Sequence, residues 1–259
     1  MTLTRRLSEY GLALAAIAAL IVLWELLCRF AKIPIWLLPA PSLIVTALGE
    51  WLHLLPAHFM ATLTAVFGGF LLALAVGIPI AVMVVYSPFL RRVIFPVLVT
   101  MQSVPKVALA PLLLIWVGYG LPSNILISAI VAFFPIVINT ATGLDSVEPE
   151  LLDLTRSYDS SALKVFWKVR LPSALPFVLS AMKIAISLSV IGAVVGEFVG
   201  SDKGLGYLIV NASSTMNTAL VFGVILVLSL LGIMCFYLIA FVEHLVASRY
   251  LYRTPVAQE

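Results

Sequence analysis

The sequence predicts an all-α integral membrane protein of about six transmembrane helices, on three observations. Hydrophobic residues make up 63% of the 259, charged residues only 10%, and mean hydropathy is +1.16. A water-soluble domain usually carries about 25% charged residues, and so few charges cannot cover a surface that faces water. Six stretches approach the ~20 mostly apolar residues that a helix needs to cross the hydrocarbon. Finally, the positive charges fall unequally on the two sides that six crossings would define. No polar stretch is long enough to fold alone, so 1–259 reads as a single transmembrane domain.

The first span covers about Tyr10–Phe30. Arg5-Arg6 ahead of it resembles the start of a signal peptide, but the apolar run exceeds the usual core of about 7–15 residues, and no A-x-A-like site follows. It is therefore expected to be a retained span. The second covers about Phe59–Tyr86 and the third about Val93–Val117, interrupted by Pro96, Pro105 and Pro111. The fourth covers about Leu121–Leu144, the fifth about Ala174–Gly200 and the sixth about Leu220–Val246. Cys28 and Cys235 both lie in apolar runs and read as small buried hydrophobes.

Six spans put both termini on one side. With cytoplasmic termini, Arg5, Arg6, Arg91, Arg92, Arg156, Lys164, Lys168, Arg170, Arg249 and Arg253 are cytoplasmic. Only Arg29, Lys32 and Lys203 are then external, while Lys106 and Lys183 fall within spans. The positive-inside rule selects this orientation. The loop of about 145–172 between spans four and five is then cytoplasmic.

That loop carries the sharpest signal. Pro149 suits the first turn of a helix, where its missing N–H would be unpaired anyway. Glu148, Glu150 and Asp153 place negative charge at the positive end of that helix. Leu151, Leu152, Leu154, Thr155 and Tyr158 give it an apolar surface. A second short helix begins after Ser160 or Ser161 and carries Leu163, Phe166 and Trp167 beside Lys164 and Lys168. Leu171-Pro172-Ser173-Ala174-Leu175-Pro176 is then expected to break the chain and start span five. The residues alone leave two readings of this elbow open. It is either an amphipathic element lying on the membrane or a docking knob for a soluble subunit.

Within the spans, ionisable groups are costly and usually face a cavity or a partner. Glu25 and Glu243 sit near span ends and favour structural roles, and Lys183 is close enough to the cytoplasmic surface to snorkel. Lys106 lies between Pro105 and Pro111, where a broken backbone is tolerated if it is buried in protein or lines a water cavity. It either draws in an anionic substrate or is a charge buried against a carboxylate or freed carbonyls. Glu197 lies near the outer end of span five, with gate or interface structure expected before substrate contact. Gln102, Ser103 and Asn139 are further polar positions that either face a pathway or bond between helices. His53, His58 and His244 have no metal-ligand spacing, so no metal is expected.

The run Asp153-Leu154-Thr155-Arg156-Ser157-Tyr158-Asp159-Ser160-Ser161, followed by Val169 and Leu171-Pro172, resembles the EAA loop of ABC importer permeases. Asp153-Leu154-Thr155 stands where that motif usually has Glu-Ala-Ala, and Asp159 stands where it has Gly. Leu38-Pro39-Ala40-Pro41-Ser42, the stretch from Val104 to Leu112, Phe134-Pro135-Ile136, and Val195-Gly196-Glu197-Phe198 with Gly204-Leu205-Gly206-Tyr207 are similar to further segments of the family. The likeness is closest to the branch importing sulfonates such as taurine, nitrate or bicarbonate, and pyrimidine precursors of thiamine.

The resemblance implies a type I ABC importer permease fold in a bacterial inner membrane. It also implies a second copy of this chain as a homodimer partner, two cytoplasmic ATPase subunits and an extracytoplasmic substrate-binding protein. Asp153, Leu154, Thr155, Tyr158, Asp159, Ser160 and Ser161 are the expected ATPase-coupling residues. Gln102, Ser103, Lys106, Asn139 and Glu197 are the expected path residues. No G-x-x-x-x-G-K-[ST] occurs, so ATP and Mg²⁺ are expected to be used by the partner ATPase and not bound by this chain. A catalytic role is not expected, because no nucleophile–base pair stands at membrane depth, and neither is a nucleic-acid partner. The competing class is a stand-alone secondary transporter or channel, which would leave the exposed elbow without a role.

Overall fold

The computed structural model describes residues 3–250, with the side chains of 3–11, 13, 14 and 247–250 outside the described set. Arg5, Arg6, Arg249 and Arg253, which enter the charge argument, therefore lie outside the described side chains. Helix α1 (Leu3–Phe30) occupies the first predicted span. A short α2 (Pro41–Trp51) leads to α3 (Leu55–Tyr86). Then come α4 (Pro88–Met101), a 3₁₀ turn (Lys106–Leu109), α5 (Ala110–Val117) and α6 (Leu121–Asp145). The elbow is α7 (Pro149–Ser157) and α8 (Ala162–Val165), continued by a π turn (Phe166–Arg170) into α9 (Leu171–Gly200). A short α10 (Leu205–Ser214) and α11 (Thr218–Tyr250) are the last described elements.

The centre of the molecule is a three-helix slab, with α6 packed between α3 and α9. In hydrocarbon no hydrophobic drive pulls helix to helix, so association depends on close van der Waals packing and on small residues that permit it. Helices α3 and α9 supply them at every fourth position, and α6 does so in part. Helix α3 buries Ala65, Gly69, Ala73, Gly77 and Ala81. Helix α9 buries Ala181, Ala185, Ser189 and Ala193 along one row, with Gly192 and Gly196 beside it. Helix α6 offers Asn124, Ser128, Ala132, Ile136 and Thr140. Such rows are the i±4 ridges of a helix surface, which seat in the grooves of a neighbour.

The contacts fix the directions of the helices. A methyl group placed on Gly69 would overlap the Ser128 side chain, and one on Gly77 would lie 3.0 Å from Ile136, so α3 and α6 run parallel. One on Gly192 would lie 2.6 Å from Ser128 Cα, and one on Gly196 2.7 Å from Asn124 Oδ1, so α6 and α9 run antiparallel. The Ser128 hydroxyl also donates to the Ser189 carbonyl at 2.9 Å across that interface.

Helix direction settles the third span. The chain leaves α3 at one end and enters parallel α6 at the other, so α4 and α5 together cross the full thickness. They do so bent by 90°. Span three is thus a broken crossing. The prolines act otherwise than expected: Pro96 is accommodated inside α4 and Pro111 sits in the first turn of α5, and only the break at 102–105, ending in Pro105, interrupts the helix. Among the described residues, four helices are long and apolar enough to cross a membrane and this pair adds a fifth.

Span five is also built differently from expectation. Leu171-Pro172 does not break the chain: α8, the π turn and α9 pass as one apolar helix over Ala162–Gly200. Pro172 has no N–H and would crowd the carbonyl of Lys168, and the wider π turn at 166–170 accommodates it.

Replacing Gly192 by Ala should cost about 1–3 kcal/mol, because its methyl meets the backbone of Ser128 rather than a movable side chain. The same change at Gly232, where a methyl meets nothing within 4 Å, should be neutral or stabilising. Unfolding of the two purified variants by denaturing detergent measures the difference, and equal stability would disprove the tight α6–α9 contact.

Candidate functional site

The elbow projects beyond one end of the slab. Pro149 begins α7, and Glu148 precedes it in an extended conformation. The helix ends in a Schellman motif: the Ser160 N–H donates to the Thr155 carbonyl at 3.1 Å and the Asp159 N–H to the Arg156 carbonyl at 3.0 Å. Asp159, at the position where the family motif has glycine, takes the left-handed conformation with φ 47°. Aspartate is one of the few side chains that enter this region routinely, so the turn is kept without glycine.

The elbow leaves apolar groups uncovered. Leu154 is 54% exposed, Tyr158 77%, Leu163 68% and Trp167 60%. Leu154 and Tyr158 are four residues apart and share a face of α7; Leu163 and Trp167 repeat the spacing on the second limb. Asp153, Asp159 and Ser161 are exposed on the same structure. Asp153 pairs with Arg156 at 2.9 Å, an exposed contact worth little. Thr155 and Ser160 lie on the underside, lining a cavity of about 270 Å³ with Tyr86 and Arg170.

A cluster of charged and aromatic side chains fixes the elbow to the slab. Arg91, in the first turn of α4, reaches Asp145 at 2.8 Å, and Arg170 approaches the same carboxylate at 3.7 Å. Arg170 donates to the Leu144 carbonyl at 3.0 Å, a cation at the negative end of α6. Its guanidinium also lies 5.3 Å from the centre of the Tyr86 ring, which in turn contacts Phe166.

The five expected path residues do not form one site. Gln102 and Ser103 lie exposed in the break of span three. Lys106 donates to the Gln102 carbonyl at 2.8 Å and stands 4.8 Å from the centre of the Phe134 ring. Its ammonium thus meets a carbonyl freed by the break, one of the two roles the sequence allows. Asn139 donates to the Pro135 carbonyl of its own helix at 2.8 Å.

Glu197 lies at the opposite end, buried with 2% exposure. There it helps cap α10. The Gly206 N–H donates to Glu197 Oε2 at 2.7 Å, the Leu205 N–H to Thr62 Oγ1 at 2.8 Å, and the Gly204 N–H to His58 Nδ1 at 3.0 Å. Three successive orphan donors of the helix are met by side chains from α3 and α9. Gly204 has φ 119° and lies against the Glu197 carboxyl group, so only glycine fits there. Sequence reasoning missed His58 and Thr62, although both lie on one face of α3 four residues apart, just where an external gate was expected.

The other intramembrane charges are paired. Lys183 of α9 meets Glu243 of α11 at 2.7 Å. Glu25 accepts from the Ser42 N–H at 3.0 Å and its hydroxyl at 2.8 Å, capping α2, and pairs with Arg29 at 2.6 Å.

Residues 73–250 match the family described as binding-protein-dependent transport system inner membrane component. The formylaminopyrimidine transport permease protein of Halalkalibacterium halodurans is 35% identical over 229 residues, covering 87% of this chain and 90% of that protein. The taurine transport system permease protein of Escherichia coli is 27% identical over 231 residues, covering 86% and 84%. The fold is similar to a chain of the MetNI methionine ABC transporter in an inward facing conformation, with a TM-score of 0.60, 22% identity, and 82% and 98% coverage.

Asp159→Val should open the elbow turn, since a β-branched residue pays roughly 1–2 kcal/mol for the left-handed conformation, whereas Asp159→Gly should keep it. Hydrogen exchange at the amides of residues 159 and 160 reads this as about tenfold faster exchange in the valine variant only. Equal protection in both would mean that the Schellman turn does not depend on this residue.

Proposed function

This chain belongs to the family of binding-protein-dependent transport system inner membrane components, and from that premise we propose that it forms the translocation path of an ATP-driven importer for a small solute. The chain is the permease subunit, not the ATPase. The exposed elbow is the observation that carries the reading: two short helices with uncovered leucines, a tyrosine and a tryptophan, tied at their base to the ends of three spans. A membrane-surface element has no need of that ionic attachment, whereas a lever does.

In this reading two ATPase subunits, which use ATP and Mg²⁺, each receive one elbow in a surface groove. Leu154, Tyr158 and Asp159 enter the groove with Asp153 and Ser161, while Thr155 and Ser160 support the turn from beneath. A second copy of the chain covers the face of α4–α5, where Val93, Val97, Met101, Val104 and Ile115 are exposed. An extracytoplasmic binding protein delivers the solute at the α10 end. The termini and elbow lie in the cytoplasm, as the positive charges require. Closure of the ATPases rocks the helix bundles between inward-open and outward-open states.

The solute belongs to the range of sulfonates, nitrate or bicarbonate, and pyrimidine-type compounds. Lys106 stands in the break of span three, with Gln102 and Ser103 beside it. Of its three N–H groups one is held by the Gln102 carbonyl, leaving donors for an anion passing the break.

Leu154→Glu places a charge in the docked groove. Burying a leucine contributes about 1.5–3 kcal/mol, so the variant should lose coexpressed ATPase in pull-down by tenfold or more while the membrane domain stays folded. Normal capture would mean that the elbow is not the docking element. In the same cells Ser161→Cys, in a background lacking Cys28 and Cys235, should resist a thiol reagent added outside; labelling from outside would reverse the topology. Lys106→Gln should slow proteoliposome uptake of an alkanesulfonate and of nitrate more than that of a neutral pyrimidine. Unchanged uptake of all three would leave Lys106 as a cap for the Gln102 carbonyl alone.

A further inference from the structure

We propose that Asp145 is the positioning residue through which movement of the docked elbow reaches the broken span α4–α5, an inference that rests on the permease reading above. The slab and the first half of the broken span are held very differently. Helices α3, α6 and α9 interlock through small residues along their lengths, whereas α4 has no buried residue. Beside the start of α4, which Ser87 joins to α3, lies a cavity of about 350 Å³ lined by Val84, Phe95, Ala141 and Thr142, and Phe95 and Leu98 pack only partly buried against Ala81, Val137 and Ala141. At this end the Arg91–Asp145 bond of 2.8 Å spans that cavity.

Asp145 is also where the elbow joins the slab. It is the last residue of α6, and α7 begins four residues later. The returning limb ends at Arg170, whose guanidinium lies 3.7 Å from the same carboxylate and 3.0 Å from the Leu144 carbonyl. One carboxylate therefore receives both limbs of the elbow on one side and α4 on the other. A displacement of the elbow moves the ends of α6 and α9 together, and the Arg91 arm carries the start of α4 with them. Without the carboxylate the elbow still stands. Its turn is held by backbone hydrogen bonds, and Arg170 keeps the Leu144 carbonyl and the Tyr86 ring. What is lost is the ionic link between the end of α6 and the start of α4.

The far end of that span supplies the readout. Tyr119 follows α5, is 81% exposed, and its ring lies beside Gly200 at the end of α9. A bimane fluorophore on Tyr119→Cys, in a background of Cys28→Ser and Cys235→Ala, reports the relation of α5 to the slab. The experiment uses the full complex with its ATPase in nanodiscs and traps it with ATP and vanadate, so that no transported solute is needed. In the parent complex trapping should shift the emission. In Asp145→Asn the ATPase should still be captured, but the population responding to trapping should fall about tenfold, within the range usual for coupling between distant sites. Asp145→Glu should restore the response, and Arg91→Gln, which cuts only the α4 arm, should lose it. A full response in both Asp145→Asn and Arg91→Gln overturns the proposal. So does loss of ATPase capture in Asp145→Asn, because it would make Asp145 a docking residue. If the parent complex itself captures no ATPase, the permease reading fails and this inference falls with it, a result distinct because it precedes any substitution.

Discussion

The close approach of α6 to both α3 and α9 is the constraint on which the rest of this structure depends. In water a helix pair is held by the area it removes from solvent. In lipid that term vanishes, and contact at short range must replace it. The row from Ala65 to Ala81 on α3, and Gly192 with Gly196 on α9, reduce the side chains to almost nothing so that backbones meet. Ser128 stands where all three helices converge, its Cα under Gly192, its side chain against Gly69, and its hydroxyl on the Ser189 carbonyl. Every other element is positioned by where it leaves or joins this slab.

How much of this was legible in the sequence depends on the range of the interaction concerned. The spans, the elbow and its N-terminal proline are local, and the sequence reading located them to within a few residues. The left-handed turn at Asp159 is local too, since few residues other than glycine enter that region. The rows of small residues were not read, although their spacing of four stands in the sequence, because hydropathy alone does not separate alanine in a packed row from alanine facing lipid. Helices α2 and α10 were missed because neither is long enough to cross a membrane. Their N-terminal donors are met by groups outside the helix, Glu25 for α2, nearby Glu197 and the sequence-remote His58 and Thr62 for α10. The charge pairs were missed for the same reason. Lys183 and Glu243 were each read as separate interfacial charges, whereas each is the other's partner.

Proline gave a partly misleading signal. Pro96, Pro105, Pro111, Pro172 and Pro176 suggested interruptions, yet Pro96 and Pro176 lie inside continuous helices, as do Pro79 and Pro135. Each leaves one carbonyl without its helical donor, and within a bundle neighbouring groups or local adjustment can offset that loss. The break in span three depends instead on a run of non-helical backbone ending in Pro105, with the Lys106 ammonium meeting a carbonyl that the break frees. The bend is thus set by where replacement partners exist and not by proline alone.

The contrast between slab and broken span bears on how such a chain changes shape. Closely packed interfaces hold one discrete arrangement and do not deform continuously. A contact in which a methyl group would stand 2.6 Å from a neighbouring backbone atom leaves no room for gradual sliding. The slab must therefore move as a body, and any relative motion must fall on elements held outside it. Helix α4, with no buried residue, is such an element, whereas α5, bent 90° from it, buries Ala110, Leu113 and Leu114 and is held more firmly. Helix α10 is the opposite case, since three of its backbone donors are bound to α3 and α9 and it must travel with the slab. A motion imposed at the elbow end thus reaches the other end in two ways: rigidly, along α6 and α9 to α10, and along α4 and α5, whose start is joined to α3 through Ser87 and to α6 through the Arg91–Asp145 pair. An opening between α10 and the end of α5 would change width whenever these two routes move by different amounts.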